Sequence, residues 1–598
     1  MVGLHERRCA PDRTPRTRHA AAVAVRRHRT PPIPLALALA FALALALPAP
    51  ELRAQEADHP GKPVYDRWCA GCHGVDGTGN GPAAGYMLPR PRDFTRARYQ
   101  IRTTASGELP MDADIRRVID EGMPGTTMPG WEDQLSRRER DDLVDYIKTF
   151  SPFFENLPDP EPLEIGDPPR VSEEALAEGR EFYQEIECWQ CHGDQGRGDG
   201  ESAPTQEDDD GFPTRPADLT ENWLFNGGGS VEAIYTRLRT GLDGTPMPSF
   251  SDLIDAEFMT DEQLWNLAHY VRSLSPEEPP EVRDVVRAAL IPEGESLPTS
   301  PDDTLWSAAT EPAYIPLVGQ IIVQPRWFAP TVDGVWVEAL HDGEELALRL
   351  TWNDPSHSPD PAWLEWQQRV LDVVEPNEAD DVEARPRPDA FAVQFPRTLP
   401  GGRELPYFLM GDSREPVHLW YWRSARPGET DAPDGDSGYA IEAEASGLDA
   451  IEPLAAGDDG AEAGGAGPLT ADASWEAGRW RMTLRRPLRT ADDGVDTAAT
   501  EGEIPADADG RTQLAAGRAI PIAFFAWDGS NAEEGTRGSI SAWYYLYLDV
   551  PTPTSVYTTP VLAMMLTAGL GLVVVVRAQR REERNDDHES NETPRREA

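Results

Sequence analysis

Two short runs place two thiols and an imidazole in the same five positions. RWCAGCHGVDGTGNG spans residues 67–81 and IECWQCHGDQGRGDG spans residues 186–200, so Cys69, Cys72 and His73 are repeated by Cys188, Cys191 and His192. A CxxC pair alone suits a zinc knuckle, a redox dithiol or a disulfide. Zinc asks for four ligands in one cluster, whereas these pairs lie far apart and each brings its own histidine. With that histidine adjoining, the run fits a narrower chemistry: the two thiols add across haem vinyl groups and the imidazole ligates the iron.

The repeat extends well beyond the cysteines. After the first cluster come RPRDFT (90–95), GMPGTTMPGW (122–131) and SRRERDDLVDYIKTFSP (136–152); after the second come RPADLT (215–220), GLDGTPMPSF (241–250) and TDEQLWNLAHYVRSLSP (260–276). His73 to Met128 is 55 positions, and so is His192 to Met247. The matched spacing pairs Met128 with Met247, ahead of Met123 and Met87 in the first copy and of Met259 and His269 in the second. A thioether is soft and neutral, favours ferrous iron and fills the sixth position against oxygen. The last stretch of each copy is expected to be an amphipathic helix, with Leu143, Tyr146, Ile147 and Phe150 on one face and Leu264, Leu267, Ala268 and Val271 on the other copy's face. Arg90 and Arg215 are placed to neutralise haem propionates or to form structural ion pairs.

These motifs resemble the cytochrome c family over residues 57–152 and 171–277. The resemblance implies an all-α fold for each copy, a CxxCH helix, a loop that delivers the distal iron ligand, here Met128 and Met247, and a closing helix on the haem edge. Semi-rigid, proline-rich and acidic linkers that hold the haems at a working distance without fusing the domains are expected at 153–170 and 278–301.

A chain of 598 residues exceeds one core and predicts about three or four domains. Arg26, Arg27 and Arg29 run into IPLALALAFALALALPAP, which Pro48 and Pro50 close before it is long enough to span a bilayer, so residues 1–54, with Cys9, read as an export signal. The other four cysteines are then spent on haem. Residues 556–576 are apolar and long enough to cross a membrane, and Arg577, Arg580, Arg581 and Arg584 follow at once, which predicts a cytoplasmic tail at 577–598 and a periplasmic body. The formal net charge of -49 excludes nucleic acid as a partner. It suits solubility in salt or the docking of a basic redox protein.

Between 302 and 550 the pattern changes to alternating runs, among them GVWVEALHDGEELALRLTWNDP with a turn at Asp342 and Gly343, DAFAVQFP, VHLWYWRSA, RWRMTLRRPL, PIAFFAWDG and SISAWYYLYL. Acidic, Gly- and Ala-rich stretches at 426–468 and 490–510 read as disordered insertions. The expected fold class is therefore multidomain: two all-α domains, an antiparallel β-sandwich or flattened barrel, and one C-terminal transmembrane helix.

LHDGEELALRLTWNDP, AVQFP, YFLMGD and AFFAWDGSN resemble the haem-binding domain of the ethylbenzene dehydrogenase and dimethyl sulfide dehydrogenase γ-subunit family. That resemblance implies one non-covalent haem b held by a methionine, here Met410, and a lysine. The chain's two lysines are Lys62 and Lys148, and Arg537 stands where the family's lysine is expected. A guanidinium does not deprotonate to ligate iron, so His418 is the alternative second ligand, or haem b is absent. His341 and His357 are expected in solvent-facing turns. The functional expectation is a membrane-anchored periplasmic electron-transfer protein with two covalent haem c. It would pass single electrons between a quinol-linked or cytochrome donor and a periplasmic, molybdenum-type oxidoreductase. The alternatives are a dihaem dehydrogenase of a small inorganic or sulfur compound, or a ligand sensor with attached cytochromes.

Overall fold

The computed structural model describes residues 59–374, 384–399, 404–425, 438–451, 468–490, 503–551 and 554–590. The expected signal segment, with Cys9, lies outside the described residues, as does most of the two acidic insertions.

Both repeats fold as helical modules. In the first, helix Lys62–Trp68 starts on Pro63 and passes into the short turn Ala70–His73; Asp112–Glu121 and Arg137–Lys148 follow. The closing helix begins at a capping box in which Ser136 and Glu139 satisfy each other's backbone N–H groups, and Lys148 sits in its last turn, as the helix dipole favours. Its buried Leu143, Tyr146 and Ile147 pack on Tyr65 and Phe94. The second module repeats the plan with Glu173–Glu185, Trp189–His192, Val231–Thr240 and Asp261–Ser273, the last capped by Thr260 and Gln263. First and closing helices cross at a glycine in each copy. A β-carbon on Gly61 would stand 2.0 Å from the Asp142 carbonyl oxygen, and one on Gly179 would stand 2.1 Å from that of Asn266.

Thirteen strands follow among the described residues: β1 Val285–Leu290, β2 Ala313–Pro316, β3 Val318–Gly319, β4 Gly334–His341, β5 Glu345–Asn353, β6 Ala390–Pro396, β7 Val417–Arg423, β8 Tyr439–Ala445, β9 Thr470–Trp475, β10 Arg479–Pro487, β11 Ala519–Trp527, β12 Ser539–Ile540 and β13 Tyr544–Leu548. They form one sheet in the order β8, β7, β6, β11, β13, β1, β4, β5, β10, β9, with β2, β3 and β12 attached at its flanks. Its two ends, β8 and β9, approach each other, so the sheet rolls into a near-closed barrel. β11 makes the corner: Ala519–Ile522 pairs with β13, and Ala523–Trp527 pairs with β6. Alternate residues point inward, and Trp352, Phe391, Trp422, Trp480 and Phe524 fill the interior.

Four expectations need correction. The sheet is mixed, because β1 runs parallel to both β13 and β4. The segment 278–301 is no free linker, since it contains β1, a central strand. β8 lies inside the stretch read as disordered, where its pairing with the apolar β7 outweighs its own acidic, weakly apolar composition. Finally, the connectors do not hold the domains apart. Arg102, fully buried, donates to the Thr240 carbonyl (2.7 Å) and pairs with Asp243 (2.7 Å), joining the modules. Asn353 donates to Asp218 (2.9 Å) and Glu221 (2.8 Å), and Arg215 pairs with Asp528 (3.1 Å), joining module two to the barrel.

Helix Leu364–Val374 packs outside the barrel through Trp366 and Val370, beside Trp327 and Ala203. Helix Thr554–Ser590 ends the described chain; its segment Ser555–Arg584 is long and apolar enough to cross a membrane, and its apolar side chains are exposed.

Candidate haem centres

The two CxxCH turns present the same local chemistry. His73 Nδ1 lies 3.0 Å from the Arg92 carbonyl oxygen, and His192 Nδ1 lies 2.9 Å from that of Ala217. Burial pushes both imidazoles below their ordinary pKa, so each ring is neutral. A neutral ring donates from Nδ1 to the carbonyl and keeps the Nε2 lone pair for a metal, the outer-shell arrangement common to ligating histidines. Phe94 stacks on His73 with ring centroids 4.5 Å apart.

Cys69, Cys72, Cys188 and Cys191 are half-buried, and none of them is in a disulfide. Burial, then the neighbouring Cys72, pushes the Cys69 thiol up to about 12; burial likewise pushes Cys188 up to about 12. Two thiols beside an imidazole whose Nε2 is free for a metal fit a covalently attached haem in each module. The loop after each cluster is held by a tyrosine: Tyr65 donates to the Gly74 carbonyl and Tyr183 to that of Gly193, both at 2.7 Å.

The methionine loops match atom for atom. Met128 N–H donates to Thr126 Oγ1 and Met247 N–H to Thr245 Oγ1, both at 3.2 Å. Thr126 Oγ1 donates to the Met123 carbonyl and Thr245 Oγ1 to that of Leu242, both at 2.8 Å. The loops close where Met123 N–H reaches the Met128 carbonyl (3.0 Å) and Leu242 N–H reaches that of Met247 (3.1 Å). Gly122 (φ +76°) and Gly241 (φ +62°) open the loops, because a β-carbon there would meet the Met128 and Pro248 backbone. The counterpart of Met123 is thus Leu242, whereas Met128 and Met247 correspond. Met87 and Met259 are buried, the latter in the core of module two, and His269 Nε2 is committed to the Pro169 carbonyl at 2.9 Å. Arg90 reaches helix Leu364–Val374 through the Val373 carbonyl (2.6 Å), and Arg215 reaches the barrel at Asp528.

Met410 is fully buried at φ +59° and packs with Val417, Leu419, Tyr421, Phe525 and Trp527. His418 shares the parity of Trp420 and Trp422, which face the barrel interior; its Nδ1 accepts from Thr512 N–H (3.2 Å) and its Nε2 faces Glu442 (3.4 Å). Strand alternation therefore puts Met410 and His418 on opposite faces of β7, and they do not meet at one iron. His341 is buried and not solvent-facing, with Nε2 against the Asp549 carbonyl (2.8 Å), and His357 stacks on Trp475. The barrel segment has no lysine and no further histidine. The residues around Met410 do not fit a haem held by two protein ligands.

The cytochrome c family matches residues 59–151 and 176–275, and the ethylbenzene dehydrogenase family matches residues 303–539. The chain carries two cytochrome c domains followed by an ethylbenzene dehydrogenase-type domain. A Haloferax mediterranei protein bearing the name of a respiratory nitrate reductase haem subunit is 26% identical over 253 residues, 42% of this chain and 68% of its own length. The CcoP subunit of the cbb3-type cytochrome c oxidase of Rhodobacter capsulatus is 27% identical over 229 residues, 36% of this chain and 61% of its own. A solved chain of the Kuenenia stuttgartiensis reducing HAO-like protein complex is 47% identical and covers 36% of this chain and 96% of its own, with a TM-score of 0.34.

Sequence reasoning missed one polar cluster, where Asp354, Asp389 and Asp528 converge at the seam between the second cytochrome c domain and the barrel. Each stands at a strand end, in WNDP, RPDAF and AWDGS, and nothing in those runs marks them as neighbours.

Proposed function

We propose that this chain is a membrane-anchored electron relay with two covalent haem c groups, attached through Cys69 and Cys72 and through Cys188 and Cys191. His73 and Met128 would ligate one iron, and His192 and Met247 the other. The observation that carries the reading is the twofold recurrence of an Nδ1-anchored histidine and, 55 positions on, a methionine in a loop of matched hydrogen bonds. Haem supplies a reversible one-electron couple at each centre. The chain's part would be to set it: the carbonyls on Nδ1 would fix ring orientation and raise donor strength, and the Met128 and Met247 thioethers would raise the potential and keep oxygen from the iron.

The two methionine loops also lie at the seam between the domains. Gly125 in the first approaches Leu224 of the second domain, while Gly244 in the second approaches Arg98 of the first. Electrons crossing between the centres would thus traverse packed protein held by Arg102 rather than a mobile linker. The third domain is read as a docking barrel without haem b, and the arginines after the apolar helix favour a cytoplasmic tail and a periplasmic body. A quinol-linked or cytochrome donor and a periplasmic oxidoreductase, of molybdenum type, are the partners this supports; the nitrate reductase and oxidase names of the relatives agree with a respiratory setting.

Spectroelectrochemical titration of the purified protein tests the reading. Two one-electron c-type waves are expected, and the reduced form should leave carbon monoxide unbound. A carbon monoxide adduct at either centre would mean an open iron and favour a dehydrogenase.

A further inference from the structure

Three strands each deliver a carboxylate to one point outside the haem centres. Asp354 follows β5, Asp389 precedes β6 and Asp528 follows β11; the register that pairs Trp527 with Ala390 brings the last two together. One oxygen from each lies within 4.8 Å of the others, and all three side chains are 1% exposed or less. Two oxygens bound across one ion at about 2.4 Å stand apart by no more than that distance.

The hydrogen bonds leave the cluster unfinished. Asp389 is filled by Gly529 N–H (2.9 Å), Ser358 N–H (2.8 Å) and Trp480 Nε1 (3.2 Å). Asp528 accepts from Ser530 N–H (2.8 Å), Ser530 Oγ (2.6 Å) and, through Oδ2, from Arg215 (3.1 Å). Asp354 Oδ1 accepts from Ser356 N–H (3.1 Å), but its Oδ2 is buried with no hydrogen-bond partner. A native fold rarely leaves a carboxylate oxygen in that state, because its lost hydration is returned by nothing. Nearby Glu533 is no such orphan: Trp327, Thr331, Asn531 and the Asp528 N–H fill both its oxygens.

Charge points the same way. Three carboxylates face one guanidinium, that of Arg215, with Glu533 a further carboxylate against Asp528, and a divalent cation would offset part of this excess of negative charge. The available donors are all oxygen, since Ser356 Oγ stands 3.3 Å from Asp528 Oδ1 and 3.1 Å from Ser358 Oγ. Such a set suits a hard cation. Its irregular build favours calcium over magnesium, which demands a near-ideal octahedron, and over zinc, which prefers nitrogen and sulfur.

We propose that Asp354, Asp389 and Asp528 bind a calcium ion at the seam between the second cytochrome c domain and the barrel. The ion would brace the strand ends on which Arg215 docks, and with them the loop whose Ala217 carbonyl holds the His192 ring. The site stands on the barrel's own carboxylates and is independent of the electron-relay reading.

The test uses the full-length protein in detergent. Metal analysis after gel filtration should find about one calcium per chain. Protein stripped with EGTA should take up calcium chloride in a saturable titration, with a thermal transition raised by about 5 °C at saturation. Asp354→Asn, which keeps shape and the Oδ1 hydrogen bond, should weaken calcium binding at least about tenfold with an unchanged far-ultraviolet spectrum. No saturable uptake by stripped wild-type protein up to about 1 mM calcium would overturn the proposal and leave a proton-sharing acid cluster. So would an Asp354→Asn protein that binds as tightly as wild type. Should that variant not fold, the wild-type titration decides alone.

Discussion

Gly179→Ala separates two forces that act in opposite directions on one helix. Gly179 lies within helix Glu173–Glu185, where intrinsic propensity alone predicts that alanine stabilises by about 1 kcal/mol. Crossing geometry predicts the reverse. The new β-carbon would stand 2.1 Å from the Asn266 carbonyl oxygen, 2.7 Å from its carbonyl carbon and 2.8 Å from Tyr270 Cβ. None of these is a flexible tip, so the closing helix Asp261–Ser273 must move by roughly 1 Å out of a core that holds Leu264, Leu267 and Ala268 fully buried. Overpacking of this kind costs about 1–3 kcal/mol against a propensity gain of about 1 kcal/mol, so a net loss of about 1 kcal/mol, at most roughly 2, is expected. With a slope of about 4 kcal/mol/M, the guanidinium midpoint of helical circular dichroism should fall by about 0.25 M. Gly85→Ala, whose β-carbon meets nothing within 4 Å, is the control and should leave the midpoint unchanged. A Gly179→Ala midpoint at or above wild type would refute the close crossing and, with it, the second module's packing.

Replacing Cys69 with Cys72, or Cys188 with Cys191, by alanine should remove one covalent haem each, read as halved haem stain on a denaturing gel. Met128→His or Met247→His should abolish the sulfur-to-iron band of one centre and lower its potential, because a nitrogen donor favours ferric iron; an unchanged spectrum for Met128→His would move the ligand to Met123. Ending the chain at Val550 should release haem-loaded protein from the membrane fraction, since the described residues hold one helix fit to span a bilayer. Burial, then Asp218, pushes the Asp333 carboxyl up to about 6 from an ordinary 3.8. Its contribution to stability is complete below 3.8 and is lost as the pH rises to about 6, so Asp333→Asn should flatten the fall in melting temperature across that window.

The candidate haem centres are legible in the sequence because the chemistry proposed for them is local. A CxxCH turn carries both thiols and the proximal imidazole within one helical turn, and the equal interval to Met128 and Met247 survives because the two loops are built alike. The long strands were legible from alternation, as β4 and β5 show around Asp342 and Gly343. Elements whose state is set by distant partners were not. VVRAAL in β1 is short and sits in a Pro- and Glu-rich context, and only pairing with Leu546 and Leu548 on one side and Ala339 and Leu340 on the other makes it central. The aspartate cluster joins positions 354, 389 and 528, and no local signal links strand ends that meet only once register is known.

The disagreement over Met410 has the same root and bears most directly on function. Eight positions in sequence make His418 look like a natural partner, but β7 begins between them, and a strand's period of two decides the outcome. Val417, Leu419 and Tyr421 line the face that covers Met410, while His418, Trp420 and Trp422 turn inward. No small adjustment reconciles them. A one-residue slip of β7 would bring His418 to the methionine's face, but it would also drive Trp420 and Trp422 out of the core and break the pairing of Phe395 with His418 in register with β6. The inward histidine is instead held where Glu442 and buried Arg486 face it, a polar pocket with its own internal balance. The barrel thus retains a buried methionine in the left-handed conformation without a nitrogen donor opposite. Its polar contacts reach the second cytochrome c domain through Asn353 and Asp528, as the docking role proposed for it requires.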